Sequence, residues 1–167
     1  MAKSEMEEVT RRAIDNGGIL AKAYFDMHSE KQDDLQPLMT DLISNKLLKF
    51  PGVIYCTGEI AEPLKVEELY TTNAAVTVLV KDLWTLLNIS FNFAPAGIEI
   101  LKPEKEYRLK HNDLQTVMIN TAQISAQISE YILGKVLSKE DYEKVKEDMQ
   151  RREELGKKLI GEGKKTD

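Results

Sequence analysis

Alternating apolar and polar residues predict four main strands along the chain. The clearest alternation runs for ten residues from Ile19, with an apolar residue at every second position. A period of two places these apolar side chains on one face of a strand and the intervening residues on the other. The predicted strands are residues 19–28, 53–60, 69–80 and 98–101, with a short fifth strand at 107–109 and a polar loop at 61–68.

Apolar residues spaced three and four apart predict five helices, at residues 4–15, 34–49, 83–92, 112–133 and 138 to about 160. Asp82 and Ser138 stand where an N-cap is expected, because their side chains can accept hydrogen bonds from free backbone amides. Asn112 followed by Gln115 has the pattern of a capping box. Gly134 is expected to end the fourth helix.

The order of these elements predicts an α+β fold. One helix is followed by β-α-β-β-α-β and then by two long C-terminal helices. The six middle elements have the order of a ferredoxin-like βαββαβ sandwich, in which the first and third strands are central and both helices cover one face. We expect a single α+β domain with a helical extension over residues 1–137, and a charged C-terminal helix and tail over residues 138–167.

Composition narrows the class of protein. Charged residues make up 31% of the 167 residues, and the formal net charge is −5. An acidic chain disfavours nucleic-acid binding, which needs clustered positive charge. No apolar run reaches the ~18 residues of a membrane span, and the N-terminus lacks a signal-peptide core. With one cysteine and two histidines, we expect a cytoplasmic protein with no disulfide framework, metal, cofactor, nucleic-acid partner or membrane partner.

One face of the predicted sheet is polar. If the apolar side chains of the strands point at the helices, the opposite face carries candidate ligand-binding residues that offer both donors and acceptors: Tyr24, Asp26, His28, Tyr55 and Asn73. Polar strand faces more often simply contact water, and additional helices or a second subunit would also account for this pattern.

Candidate catalytic chemistry is sparse. His28 and Asp26 share one strand face, at a spacing that would let the carboxylate orient a general base. No nucleophile accompanies them, so we expect an ordinary surface histidine and no catalytic residue. Cys56 falls on the apolar side of its strand, where we expect a buried, unreactive thiol. The sequence shows no set of residues with the spacing of a metal site.

The fourth predicted helix carries the most information about association. Its apolar face is wider than one neighbouring helix requires, and small residues would let a second helix approach closely. The candidate oligomer-interface residues are Ala122, Ser125, Ala126 and Ser129. The same helix could instead pack on the sheet or on the first helix of its own chain, and both interpretations stay open.

Three stretches together resemble a known family. They are AKAYFD at residues 21–26, EP at 62–63 leading to LYTT at 69–72, and GIEILKP at 97–103. Their order and spacing resemble a family of small uncharacterised archaeal proteins with a ferredoxin-like core. The resemblance covers residues 18–133 and leaves the first helix and the charged tail outside. It implies a cytoplasmic prokaryotic setting and supplies no functional residues, because the family has no assigned activity.

These observations favour a non-enzymatic binding or assembly protein that forms homo-oligomers through its helices. The alternative is a regulatory domain that senses a small molecule with the polar face of the sheet. An enzyme is the third interpretation, because the sequence shows no convergent set of ionisable groups.

Overall fold

The computed structural model of the protein describes residues 3–162, with side chains described at residues 4–151 and 154. The helices in this part of the chain are α1 (Lys3–Asp15), α2 (Gln32–Thr40, continued by a π-helical segment Asp41–Leu47), α3 (Leu83–Phe93), α4 (His111–Val136) and α5 (Lys139–Glu162). The strands are β1 (Ile19–Ser29), β2 (Val53–Ile60), β3 (Leu64–Val66), β4 (Leu69–Val80) and β5 (Gly97–Lys102).

The chain forms two compact units, Met1–His111 and Asn112–Asp167, referred to below as unit 1 and unit 2. The boundary predicted between residues 137 and 138 coincides instead with the turn between α4 and α5. The division places the sheet in unit 1 and the two long helices almost entirely in unit 2.

Unit 1 is built on an antiparallel sheet with the strand order β2-β4-β1-β5. The short strand β3 pairs with the start of β4, next to the end of β2. The two long strands β1 and β4 are central and pair along their whole length, from Ile19 opposite Val80 to Ser29 opposite Tyr70. The predicted α+β class is confirmed.

One face of the sheet packs against α2 and α3 to form the core. Alternate residues of the central strands point to this face, as their period of two predicts. The fully buried core residues include Ile19, Ala21, Ala23, Val76, Val78 and Val80 of the strands and Met39, Leu47 and Ile89 of the helical segments. Phe50 and Phe93 close the core with an edge-to-face contact whose ring centroids are 5.4 Å apart.

Several predicted elements differ from the observed ones. The polar loop at 61–68 contains β3, so part of it forms a hairpin with β4. No strand forms at 107–109; instead the Tyr107 hydroxyl donates to the Gly17 carbonyl at 2.7 Å and holds this segment by a side chain. The predicted second helix becomes π-helical after Thr40, where the Leu48 amide donates to the Ile43 carbonyl five residues before it.

Candidate functional site

The second face of the sheet is divided by α1 into a covered end and an open half. At the covered end, α1 lies over Leu79, which is fully buried, and over Tyr55, which is 8% exposed. The Thr10 hydroxyl of α1 donates to the Met6 carbonyl at 2.7 Å. It therefore accepts the hydrogen bond from the Tyr55 hydroxyl, at 2.9 Å. This buried pair fixes α1 on the sheet.

Tyr55 is thereby separated from the other four candidate ligand-binding residues. Its hydroxyl is engaged with Thr10 beneath α1, whereas the other four lie beyond the helix on β1 and β4. Sequence reasoning did not identify Thr10. The available signal was a threonine four residues after Met6 and four before Ile14, on a face that the apolar pattern already assigned to packing.

The open half brings Tyr24, Asp26, His28 and Asn73 onto one surface. Asp26 lies directly opposite Asn73 in the ladder between β1 and β4, and His28 lies opposite Thr71. Side chains opposite each other in such a ladder are about 5 Å apart at Cβ. In the described part of the chain, Asp26, His28 and Asn73 have no hydrogen bond or ion pair through their side chains.

Tyr24 is the one of these four side chains that has polar partners. Its hydroxyl donates to Glu99 Oε2 of β5 at 3.2 Å, and Lys22 Nζ lies 5.4 Å from the centre of its ring. All three side chains are at least partly exposed, so each contact contributes little stability. Asp26 and His28 make no contact that would orient the imidazole as a general base.

Two open grooves flank α1 in unit 1. One, of about 820 Å³, lies between α1 and the sheet and is lined by residues that include Thr10, Ile14 and Tyr55. The other, of about 730 Å³, runs along residues 102–108, and with Asp15 its lining holds three basic and three acidic residues. The charges cancel, so this groove offers no net field for a charged ligand. Among the described residues no group of three or more His, Cys, Asp or Glu could hold a metal ion.

The second candidate surface is on α4, where no residue is buried. Residues 114–129 contain no charged side chain, in a protein of which 31% is charged. Four exposed large apolar residues and two small hydroxyl residues follow one line along α4 at alternating intervals of four and three. We call this line the open seam; it consists of Leu114, Met118, Thr121, Ser125, Ile128 and Ile132. The four large apolar members are 46%, 65%, 48% and 52% exposed.

A second line of residues, about 110° further around α4 at 100° per residue, has the same three-and-four spacing. We call it the inner seam; it consists of Val117, Asn120, Ile124, Gln127, Tyr131 and Gly134. Val117, Asn120 and Ile124 are half-buried. At the other end of this line, a Cβ placed on Gly134 would lie 3.4 Å from the ring of Tyr142 in α5.

Tyr142 ties α5 to the inner seam. Its hydroxyl donates to Glu130 Oε1 at 3.2 Å. Burial and this carboxylate together raise the pKa of the Tyr142 phenol. The prediction that Gly134 ends α4 is wrong, because the helix continues to Val136 and the glycine instead provides space for Tyr142. The predicted start of α5 is confirmed: the Asp141 amide donates to Ser138 Oγ at 3.2 Å, and Ser138 Oγ donates to Asp141 Oδ2 at 2.7 Å.

The predicted interface residues are all exposed on α4. Ser125 belongs to the open seam. At 100° per residue, Ala122 and Ser129 lie about 60–80° to one side of that seam, and Ala126 lies about 120° from it. The exposed apolar surface of α4 is therefore centred on larger residues, with Ser125 near its middle. Within residues 3–162, no helix combines the length and apolar character that crossing a membrane requires.

Comparison with known proteins places the chain in a family. A family model described as the MJ0538 family matches residues 20–160. No curated protein and no solved structure gives a significant match. The matched range includes the open half of the sheet, all of α4 and nearly all of α5, so the expectation that the charged tail lies outside the family is wrong up to residue 160. Because the match spans most of its length, the chain belongs to the MJ0538 family, which is named after a Methanocaldococcus protein.

Proposed function

We propose that this protein is a non-enzymatic cytoplasmic assembly protein that forms homo-oligomers through the open seam of α4. The observation that carries the proposal is the uncharged stretch at residues 114–129, in which Leu114, Met118 and Ile128 are exposed. A helix that remains in water normally carries charged residues, as α5 does. Charged residues are depleted at the centres of protein interfaces, and aliphatic and aromatic side chains replace them.

Burial of the open seam supplies the favourable part of the free energy of association. Leu114, Met118, Ile128 and Ile132 are each about half exposed. Burying the remaining half of such a side chain contributes on the order of 1 kcal/mol. A contact between two copies buries eight of them, about 8 kcal/mol before the entropic cost of association. Because that cost is of similar size, we expect a weak, reversible complex and test for it at concentrations of about 1–100 µM.

The experiment is light scattering on the full chain across this concentration range. We expect the mass of the wild type to rise with concentration. Met118→Asp and Ile128→Asp each place a charge in the open seam and should yield a folded monomer, with unchanged far-ultraviolet circular dichroism. Ile119→Asp is the matched control, because Ile119 is an apolar residue of α4 that is 42% exposed but lies outside the seam. A monomeric wild type at about 100 µM would contradict the proposal.

A second candidate function, small-molecule sensing, is favoured by the open half of the sheet. Tyr24, Asp26, His28 and Asn73 offer donors and acceptors, three of them without a hydrogen-bond partner in the described part of the chain. A ligand that binds the native state raises the melting temperature by mass action. Screening metabolites by thermal shift tests this function, with Asp26→Ala as the variant that should lose any shift. Self-association alone produces no ligand-dependent shift.

We also infer that unit 1 is a ferredoxin-like sandwich. The support is the strand order β2-β4-β1-β5, in which the first and third long strands are central, all neighbours are antiparallel, and α2 and α3 share one face. Cytoplasmic localisation is part of the proposal because a single free thiol, Cys56, persists in a reducing compartment.

A further inference from the structure

We infer that the open seam is covered by the open seam of a second copy running in the opposite direction, about a two-fold axis level with Gln123. The inference rests on the proposed function, which requires association but leaves the geometry of the contact undefined. Three properties of α4 support it: the symmetry of the seam, the charges at its two ends, and the presence of the inner seam.

The open seam reads almost the same in both directions. Its six positions are placed symmetrically about residue 123, as Leu114 with Ile132, Met118 with Ile128, and Thr121 with Ser125. An antiparallel two-fold pair therefore sets large apolar residues against large ones at both ends. The small hydroxyl residues meet at the axis, where the helix backbones approach closely.

Charges at the two ends of α4 favour the same direction. Asp113 and Lys135 lie on the same flank of the open seam, on the side of the inner seam. In an antiparallel pair, Asp113 of one copy lies about 3 Å along the axis from the level of Lys135 in the other, at 1.5 Å per residue. In a parallel pair the two levels differ by about 33 Å, so the two charges cannot pair. Neither side chain has an ion pair within the described part of its own chain.

The inner seam indicates that four helices meet in the dimer. Through Gly134 and Tyr142, α5 of the same chain already contacts one end of it. The two seams are about 110° apart, close to the right angle between the two neighbours of a helix in a four-helix bundle. Two copies of unit 2 supply these four helices, with the two α4 helices in direct contact.

The uncharged seam also argues against other occupants. A strongly acidic or basic partner would require complementary charge, and residues 114–129 carry none. A membrane surface is recognised by helices with Lys and Arg along the polar face, whereas the polar residues of this stretch are Gln, Asn, Ser and Thr. A second copy presents a neutral apolar surface of the same length.

Cysteine cross-linking tests the direction of pairing in a Cys56→Ala background. The double variant Leu114→Cys with Ile132→Cys places thiols opposite each other in the antiparallel pair. Under mild oxidation, most of this protein should become covalent dimer. Ile132→Cys alone should remain at least tenfold less cross-linked at the same concentration. If Ile132→Cys alone cross-links as well as the double variant, the helices are parallel and the inference is wrong, although the proposed function stands.

Charge reversal gives an independent measurement at the ends of the helix. Lys135→Glu should weaken the dimer about threefold to tenfold at low ionic strength, and Asp113→Lys added to it should restore the wild-type dissociation constant. Gln123→Glu is the control, because Gln123 is exposed and lies on the opposite side of α4 from the open seam at 100° per residue. Failure of the double variant to recover affinity would contradict the antiparallel pair. A wild type that never dimerises would overturn the proposed function itself.

Discussion

Unit 1 and unit 2 place their apolar side chains in opposite environments. In the sheet domain, Ile19, Val76 and Ile89 are at most 1% exposed. On α4 no residue is buried, and six of the large apolar side chains between His111 and Ile132 are at least 42% exposed. Because burial of apolar surface is the main favourable contribution to folding, unit 1 supplies the stability of its own fold. Unit 2 leaves large apolar side chains of α4 exposed.

The two exposed surfaces also differ in charge. The open half of the sheet carries Lys22, Asp26, Glu59 and Glu99 among its polar residues, whereas residues 114–129 of α4 carry no charge. A charged, polar face is stable in water without further contacts. An uncharged helix face with apolar residues at intervals of three and four is typical of a helix that packs against another helix. Exposure alone therefore does not separate a solvated surface from an interface; charge does.

The largest expected effect is a loss of stability in unit 1, measured by truncating one isoleucine in each unit. Ile89→Ala removes a fully buried side chain and should lower the free energy of unfolding by about 2–5 kcal/mol, because it leaves a cavity in the core. Ile128→Ala, on the open seam, should change the stability of the monomer by less than about 0.5 kcal/mol. Urea unfolding at a concentration too low for association measures both. Equal losses would show that α4 contributes to the core of its own chain.

Deleting helices tests whether unit 1 is independent. Removal of residues 139–167, or of 112–167, should leave a cooperative melting transition within a few degrees of the wild type, the shift expected for about 1 kcal/mol. Among the described side chains of residues 112–154, neither deletion removes a buried one. The longer deletion should also abolish self-association at every concentration. Calorimetry and light scattering report the two properties, and loss of the cooperative transition would mean that the two units fold as one.

A smaller effect distinguishes the two ends of the polar sheet face. Tyr55→Phe removes the buried hydroxyl that bonds to Thr10 and should cost about 1 kcal/mol, or about 2–4 °C in melting temperature. Tyr24→Phe is the matched control on the same face, because its hydroxyl meets Glu99 in contact with water and should cost little. If both variants melt alike, α1 does not depend on the Thr10–Tyr55 contact.

The sequence predicted the sheet well because its signal is local. A period of two over β1 and β4 is visible without knowledge of neighbours, and it placed Tyr24, Asp26, His28 and Asn73 on one face as observed. The position of Tyr55 depended instead on a tertiary contact with α1, which no local pattern reports. The short strand β3 was missed because three residues are too few to show a period.

The helices were predicted less completely because their packing also depends on contacts that no local pattern reports. Glycine normally ends a helix, so Gly134 was interpreted as the end of α4, yet it lies within the helix where Tyr142 packs against it. The small residues Ala122, Ser125, Ala126 and Ser129 were grouped by size. Placing them around the helix shows that only Ser125 lies on the line of large exposed apolar residues.

The smallest expected effect is on a thiol and tests the register of β2. Cys56 packs against the core on the helix-facing side of the sheet, as predicted, but it is half-buried because β2 is an edge strand. Burial raises the pKa of the Cys56 thiol, so less thiolate is present at neutral pH and labelling should be slower than for a free cysteine. The control is Thr57→Cys in a Cys56→Ser background, because Thr57 is exposed on the opposite face. This thiol should react at about the rate of a model peptide. If Cys56 reacts as fast as the control, β2 is shifted by one residue, since such a shift exchanges the two faces of a strand.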